Sequence, residues 1–442
     1  MNLTRKGWFA KYVGIRSQIP FPRRLATTGM KVVEQTGVHN EIDEAIYYFL
    51  APTGLMHGFP VTPPFPQEAY REYWPKGDYS RIHLIFLESL FACMVADRHY
   101  LLKGLSDETD RFSPTAEIMQ EYFLKGPTFE GGRRWKYFFT LLPWTKKDEF
   151  HSIERIIGQR VGQTSDFFKL PGYYYNSFLL LDLYHCILWQ RRLLMDPAGR
   201  MEQLHELGDE QTRQRELLLK LLILAAESDG LMGPREKKVV KWFFRSSGLP
   251  GSRKKAIWNL IGKGVTLDDI EFTDMPWLIR RFFLDAVLMM LIVERGIIKK
   301  EFEFAEELVR KLNLWEGELA QSKAGIELFF FNHQDKLRVI SKRSLIGNIS
   351  ESLKEGATIA VRDNLNSIVK EIQETRELYN LLIKSTHEDL TVEEREKVKA
   401  QLMDIVKSIP ALAIFALPGG GLIMPVILKL LPYKILPTAF RE

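Results

Sequence analysis

Two groups of acids and histidines stand on helical sequence, in positions that suit metal or acid–base chemistry. Asp182 and His185 are three residues apart, so a helix places them on the same face. Asp97 is followed directly by Arg98 and His99. In both places the sequence favours a structural role: a hydrogen-bonded pair inside a helical bundle for Asp182 with His185, and an Asp–Arg pair at a helix end for the second group. A cluster without partners elsewhere is a weak sign of a catalytic site.

The remaining residues that could carry chemistry indicate no enzyme. Neither Cys93 nor Cys186 has the spacing of a metal ligand, and each lies in an apolar run, so we expect buried, reduced thiols. The sequence shows no Ser/His/Asp set and no zinc-ligand spacing. The pair Gly131 and Gly132 is not followed by the Lys-Ser/Thr of a phosphate-binding loop. We therefore predict a non-enzymatic protein without a cofactor.

Composition describes a mildly basic chain that builds packed cores. Its 442 residues carry a net charge of +5, and 45% of them are hydrophobic, which is typical of a globular protein. We find no concentrated basic patch interleaved with aromatic residues, so no nucleic acid is expected as a partner. The N-terminus lacks the apolar run of a secretory signal, so we expect the bulk of the chain in the cytoplasm.

The elements that must hold these residues are helices. Apolar residues recur every three or four positions along 79–102, 149–162 and 173–194, and the first 200 residues contain no alternating pattern typical of strands. We predict an all-α fold of several helical bundles. Its parts are an N-terminal helical domain at 1–200, a second helical domain at 201–330, a long helix or coiled-coil linker at 331–389, and a terminal segment at 390–442. The helical rhythm along 344–384 favours a coiled coil or a long helical hairpin, with self-association through it as a hypothesis.

The second domain repeats the pattern of an apolar helix, a turn and a new helix. Its first copy reads Ala226-Glu-Ser-Asp229-Gly230 and then Glu236, and its second copy has Arg295 where the first has aspartate. This pattern resembles the TerB-like family of small helical domains, whose acids have been linked to divalent metal. The resemblance makes Asp229 and Glu236 weak candidates for a metal site. Because half of the acidic cluster is missing, a turn residue and a helix N-terminal acid are the simpler interpretation.

The terminal segment contains 21 residues without a formal charge, from Ser408 to Leu428. An unbroken helix of that length spans about 31 Å, close to the hydrocarbon core of a bilayer. Prolines and glycines interrupt the stretch: Pro410, Pro418, Gly419, Gly420, Gly421 and Pro425. Backbone N–H and C=O groups that lose their helical partners at membrane depth are tolerated only where protein or a water-filled cavity provides hydrogen bonds for them. The sequence leaves three structures open: a kinked spanning helix, a re-entrant helical hairpin, and a buried core helix.

Basic residues flank the uncharged stretch on both sides. Those before it are Arg395, Lys397, Lys399 and Lys407, and those after it are Lys429, Lys434 and Arg441. This arrangement gives no direction for a single crossing, and it suits a hairpin with both ends in the cytoplasm. The arms of that hairpin, 408–417 and 422–431, would each reach about 15 Å as helices.

Short motifs around this stretch resemble the leucine-zipper, EF-hand and transmembrane (Letm) family. The matching elements are Leu390-Thr391-x-x-Glu394-Arg395, Ile409-Pro410, the pair Pro418 and Pro425, Leu428-Lys429-Leu-Leu-Pro432, and Leu436-Pro437-Thr438-x-Phe440. The whole arrangement is similar to bacterial proteins described as Letm-related and biofilm-associated. By resemblance, the residues that shape the membrane segment are Pro410, Pro418, Gly419, Gly420, Gly421, Pro425, Lys429, Pro432 and Pro437.

The resemblance implies a helical scaffold or sensor at the bacterial inner membrane, linked to biofilm or ion homeostasis. Its expected partners are the lipid bilayer, further copies of the chain, and a protein that binds the cytoplasmic domains. Mitochondrial Letm proteins are implicated in cation/proton exchange, so the alternative is an oligomeric exchanger. Two departures count against that alternative and against ribosome binding. Gly421 stands where the family has an intramembrane Glu, and the chain ends at Glu442, before the family's ribosome-binding region.

Overall fold

The computed structural model is helical throughout the part of the chain that it describes. The described residues are 6–17, 41–65, 78–101, 112–126, 146–162, 174–196, 198–230, 232–294, 299–333, 349–385, 388–413, 415 and 423–430. No strand occurs among these residues, which confirms the predicted all-α class. The helices predicted over 79–102, 149–162 and 173–194 are present with boundaries shifted by a few residues.

The described part of the chain contains helices of 4 to 27 residues. They are α1 (Trp8–Arg16), α2 (Glu41–Leu50), α3 (Asp78–Leu101), α4 (Phe112–Lys125), α5 (Lys146–Gly162), α6 (Phe178–Met195), α7 (Arg200–Ala226), α8 (Pro234–Ser246), α9 (Gly251–Trp258), α10 (Trp277–Glu294), α11 (Lys299–Lys311), α12 (Gly317–His333), α13 (Ile349–Asp363), α14 (Leu365–Glu374), α15 (Arg376–Lys384), α16 (Val392–Ser408), α17 (Pro410–Ala413) and α18 (Ile423–Leu430). Single 3₁₀ turns lie at Ala51–Thr53 and Leu267–Asp269.

A large core joins helices from α1 to α12. Its buried side chains range from Trp8 to Phe330 and come from both sides of residue 200, where the sequence pattern places a domain boundary. α6 lies at the centre of this core, because almost every side chain from Phe178 to Arg191 is buried. It packs on α3 and α7, and α7 packs in turn on α10.

A smaller core holds the C-terminal helices α13 to α18. α12 belongs to both cores: Phe329 and Phe330 face the large one, whereas Ala324 and Leu328 face the small one. α13 lies very close to α12, since a Cβ added at Gly356 would stand 2.5 Å from the Cβ of Ala324. The small core is thus attached to the large one through α12 and its contact with α13.

The region predicted as one long helical pattern over 344–384 contains three helices, α13, α14 and α15, in its described part. The breaks occur at Asn364 and Thr375, whose backbones leave the helical region. Asn364 Nδ2 donates to the carbonyl of Ala360 at 2.9 Å, and Thr375 Oγ1 donates to that of Glu371 at 2.8 Å. Side chains that bond the preceding turn compete with helix continuation. The breaks let α14 and α15 fold back on α16.

Candidate membrane segment and buried charge clusters

The C-terminal segment begins with a well-defined helix start. The Thr391 hydroxyl accepts from the backbone N–H of Glu394 at 3.2 Å, and the Glu394 carboxylate accepts from the N–H of Thr391 at 2.9 Å. This reciprocal pair is a capping box, and it starts α16. The helix then runs to Ser408, where the uncharged stretch starts.

The described part of the uncharged stretch forms two short helices, α17 and α18. Ile409 has an extended backbone, as expected for a residue that precedes proline, and Pro410 then begins α17. Pro425 lies in the first turn of α18, and Lys429 is exposed in its last turn. The other predicted segment residues lie outside the described residues: Pro418, Gly419, Gly420, Gly421, Pro432 and Pro437. Within the described ranges, no helix has both the length and the apolarity that a membrane crossing requires.

The apolar side chains of both short helices are packed against protein. Leu412, Phe415, Ile423 and Ile427 are buried in the small core. Ala411 reaches the large core, because α17 also contacts α2. Both α17 and α18 contact α13, so the two arms of the stretch lie on the same helix.

α18 is amphipathic in this position. Ile423 and Ile427, one turn apart, are fully buried, whereas Met424, Val426 and Leu430 are only partly covered and Lys429 is exposed. A helix of this kind keeps one apolar face in the protein and offers a second, weaker one at the surface.

The weak metal candidates Asp229 and Glu236 have separate structural positions. Asp229 is exposed in the turn after α7. Glu236 is buried at the start of α8, and its carboxylate accepts from the backbone N–H of Gly233, as a helix N-terminal acid does. Among the described residues, no three His, Cys, Asp or Glu side chains are grouped as a metal site would need.

Asp182 is held by arginines, not by His185 as the sequence predicted. Arg160 Nε donates to its carboxylate at 2.6 Å, and Arg215 pairs with the other oxygen. His185 Nδ1 instead lies 2.7 Å from the carbonyl of Leu181. Burial lowers the pKa of His185 to about 3, so the imidazole is neutral at physiological pH. A buried carboxylate loses its hydration, and a charged arginine compensates for that loss better than a neutral imidazole does. The spacing of residues along one helix does not reveal a partner on another helix.

Asp97 likewise pairs across the core, with Arg191, and not with the adjacent Arg98. Arg191 Nε donates to Asp97 at 2.7 Å, while its Nη2 donates to Asp43 at 2.6 Å. The Tyr184 hydroxyl also donates to Asp43, at 2.6 Å. Two carboxylates therefore share one guanidinium. Burial raises the pKa of Asp97 to about 6, against the opposing effect of Arg191.

A third buried cluster joins α2, α10 and α12. Arg281 Nη1 donates to Glu318 at 3.2 Å, and the Tyr47 hydroxyl donates to Asp285 at 2.5 Å. Trp277 Nε1 also donates to Glu318, at 3.0 Å. These clusters fix the mutual positions of helices in the large core. Sequence analysis missed them, although charges inside strongly apolar helices are the signal that could have indicated them.

Both cysteines are buried, as predicted. Burial raises the pKa of the Cys93 thiol and of the Cys186 thiol well above the ordinary value. A thiol in that state is a poor nucleophile, because the thiolate is the reactive form.

Comparison with known proteins identifies one part of the chain. The model of a family described as LETM1-like, RBD matches residues 390–442. No curated protein and no solved structure matches the chain. These residues also carry the sequence motifs of the Letm resemblance, so the match supports a LETM1-like family for this segment. The TerB-like and biofilm-associated resemblances stay predictions.

Proposed function

We propose that this chain is a non-enzymatic scaffold that attaches to the bacterial cytoplasmic membrane through residues 408–428. The observation that carries the proposal is the coincidence of two features. The LETM1-like match covers 390–442, and the same region contains 21 consecutive residues without a formal charge. A stretch of that length and polarity is suited to the hydrocarbon core of a bilayer. The role in biofilm or ion homeostasis rests on resemblance alone.

The packing of α17 and α18 supports the hairpin form of this attachment. Both helices contact α13, so the two described ends of the uncharged stretch lie beside the same helix, as the two arms of a hairpin would. In the proposed membrane-bound form, the side chains of Leu412, Ile423 and Ile427 exchange protein contacts for lipid contacts. Such an exchange costs little hydrophobic free energy, since both environments exclude water.

The charge distribution of the large core supports a peripheral body. Asp182, Asp285 and Arg281 are ionisable groups inside its helices, and each is held by partners within the protein. Ionisable groups are costly inside a bilayer unless they face a protected interior. These charges favour a position outside the bilayer for this body. In the proposed function it lies in the cytoplasm, where it is available to bind a partner protein or to sense an ion.

The exchanger alternative finds less support. From Ser408 to Leu428 the sequence contains no acid and no other titratable side chain, so nothing in the stretch could carry a proton in exchange for a cation. An ion-flux assay on the full chain in liposomes separates the two functions. The scaffold function predicts no flux above that of empty liposomes, and saturable cation/proton flux would favour the exchanger.

The attachment is tested by cell fractionation with carbonate extraction. The wild-type chain should stay in the membrane pellet, and Met424→Asp should move it to the supernatant, because an acid at the centre of a bilayer costs about 2.5–3.5 kcal/mol. Met424 is only partly buried in the protein, so the same change should leave the fold intact. Met195→Asp is the matched control, since it makes the same substitution at an exposed position outside residues 408–428. Wild-type protein found wholly in the supernatant would refute the proposal.

A further inference from the structure

The hairpin formed by α8 and α9 is strongly basic. Between residues 234 and 263 the sequence has nine Lys or Arg residues and a single acid, a formal charge of +8 in a chain whose net charge is +5. The rest of the chain is therefore slightly acidic, and the basic surplus is concentrated in one helical hairpin.

α8 separates its apolar and basic residues on opposite faces. Val240 and Phe243 are fully buried on the side toward α7 and α10. The exposed positions of the helix carry Lys237, Lys238, Lys241 and Arg245. The one acid, Glu236, is buried and accepts from the backbone of Gly233, so it does not reduce the charge of the exposed face.

α9 continues this basic surface. The Phe244 and Trp258 rings meet edge to face at 5.0 Å and join the two helices. Lys255 is exposed on α9, and Lys263 is exposed in the turn that follows it. Of the bases in this hairpin, Arg253 is paired with a carboxylate from outside it, that of Glu216 on α7.

The acids beside the hairpin, on α7 and at its C-terminal end, have partners of their own. Glu216 is engaged with Arg253, and the Glu227 carboxylate accepts from the backbone N–H of Gly262 at 2.8 Å. Within the described residues, no carboxylate forms an ion pair with Lys237, Lys241 or Lys255. These three lysines can therefore meet an external anionic surface.

We infer that the exposed face of α8 and α9 binds the anionic headgroups of a phospholipid bilayer. The inference rests on the proposed membrane attachment and adds a second contact to it. Several lysines on adjacent helices match the diffuse charge of a lipid surface, where each base near the membrane contributes independently. Recognition of this kind depends on charge and falls with ionic strength.

The same face is poorly suited to nucleic acid. Trp242 is buried beneath Lys238, whose Nζ lies 5.9 Å from the indole ring, so it offers no surface on which a base could stack. The exposed bases are mainly lysines, which bind as point charges, whereas arginine provides the fork that reads guanine. The chemistry therefore favours lipid headgroups, and nucleic acid becomes an outcome of the test.

The test is co-sedimentation of the full-length chain with two kinds of vesicle, one of phosphatidylcholine alone and one of phosphatidylcholine with phosphatidylserine. Phosphatidylserine should strengthen binding of the wild type, and high salt should remove that gain. The variant Lys237→Gln/Lys241→Gln/Lys255→Gln should lose the gain in affinity that phosphatidylserine gives, by about fivefold per lysine and roughly 100-fold in all. The control Lys11→Gln/Lys300→Gln/Lys354→Gln removes the same charge from exposed positions outside the patch and should bind like wild type.

The arms of this experiment separate the inference from the proposed attachment. Binding to neutral vesicles that Met424→Asp abolishes reports on residues 408–428, whereas the gain from phosphatidylserine reports on α8 and α9. Equal binding of the wild type to both vesicles would overturn the inference and leave the attachment standing. Equal losses in the two triple variants would also overturn it. A third outcome would overturn the inference as well. If the wild type binds a fluorescent oligonucleotide more tightly than vesicles, and only the α8–α9 variant loses that binding, the patch is a nucleic-acid site.

Discussion

Gly356→Ala tests how the C-terminal helices are attached to the large core. A Cβ at this position would lie 2.5 Å from the Cβ of Ala324 and 3.0 Å from the carbonyl oxygen of Ala320. Both contacts are with α12, and neither atom belongs to a flexible side chain, so the two helices would have to move apart. Alanine should therefore weaken the contact between α12 and α13.

The magnitude follows from two opposing effects. Overpacking a tight contact costs about 1–3 kcal/mol. Replacing glycine by alanine inside a helix gains about 0.5–1 kcal/mol. Gly325→Ala on α12 isolates the second effect, because nothing lies within 4 Å of a Cβ at that position. We expect Gly356→Ala to be less stable than Gly325→Ala by about 1–3 kcal/mol.

Hydrogen exchange of the full chain, followed by mass spectrometry, measures this difference locally. Amides of α13 should exchange about 5- to 150-fold faster in Gly356→Ala than in Gly325→Ala, since exchange by local opening follows the free energy of that opening. Amides of α6, at the centre of the large core, should not change. Equal protection of α13 in the two variants would refute the close contact between α12 and α13.

Two further predictions concern the buried ion clusters. Asp182→Asn leaves Arg160 and Arg215 without their carboxylate and should lower the free energy of unfolding by about 3–5 kcal/mol in urea denaturation. Asp268→Asn removes an exposed ion pair and should lower the free energy of unfolding by no more than about 1 kcal/mol. Equal losses of stability in Asp182→Asn and Asp268→Asn would show that the buried pairing is misassigned. Burial raises the pKa of Asp97 from 3.8 in the unfolded chain to about 6 in the folded protein. Between pH 3.8 and pH 6 the folded state keeps the Asp97 proton that the unfolded state releases, so the protein loses stability as the pH rises through this range. Between pH 4 and pH 7, the free energy of unfolding of Asp97→Asn should rise relative to that of the wild type by about 2.4 kcal/mol in urea denaturation. A difference that does not change with pH would contradict the raised pKa.

Local signals in the sequence predicted local structure well. The pattern Thr391-x-x-Glu394 and the proline at the start of α8 are signals of a helix start that can be read from sequence, because each acts within one turn. Helical periodicity identified α3, α5 and α6 for the same reason.

Pairings between helices could not be predicted in this way. The partners of Asp182 come from α5 and α7, at a distance along the chain that no spacing rule connects. Gly356 permits close contact with α12, and a glycine within a helical pattern does not reveal which helix approaches it. The basic hairpin was missed for another reason. Its charges are interleaved with buried apolar residues, and only the folded helix gathers them on one face.

The central claim is that residues 408–428 enter a bilayer, and a fluorescent probe on this segment tests it most directly. Cys93 and Cys186 are buried, so a cysteine-reactive dye attached to Met424→Cys should report on α18 alone. On addition of vesicles, its emission should shift to the blue and be quenched by lipids that carry a nitroxide in their acyl chains. The same dye on Tyr379→Cys, at an exposed position of α15, should show neither change. Emission from position 424 that stays unshifted and unquenched would contradict the claim.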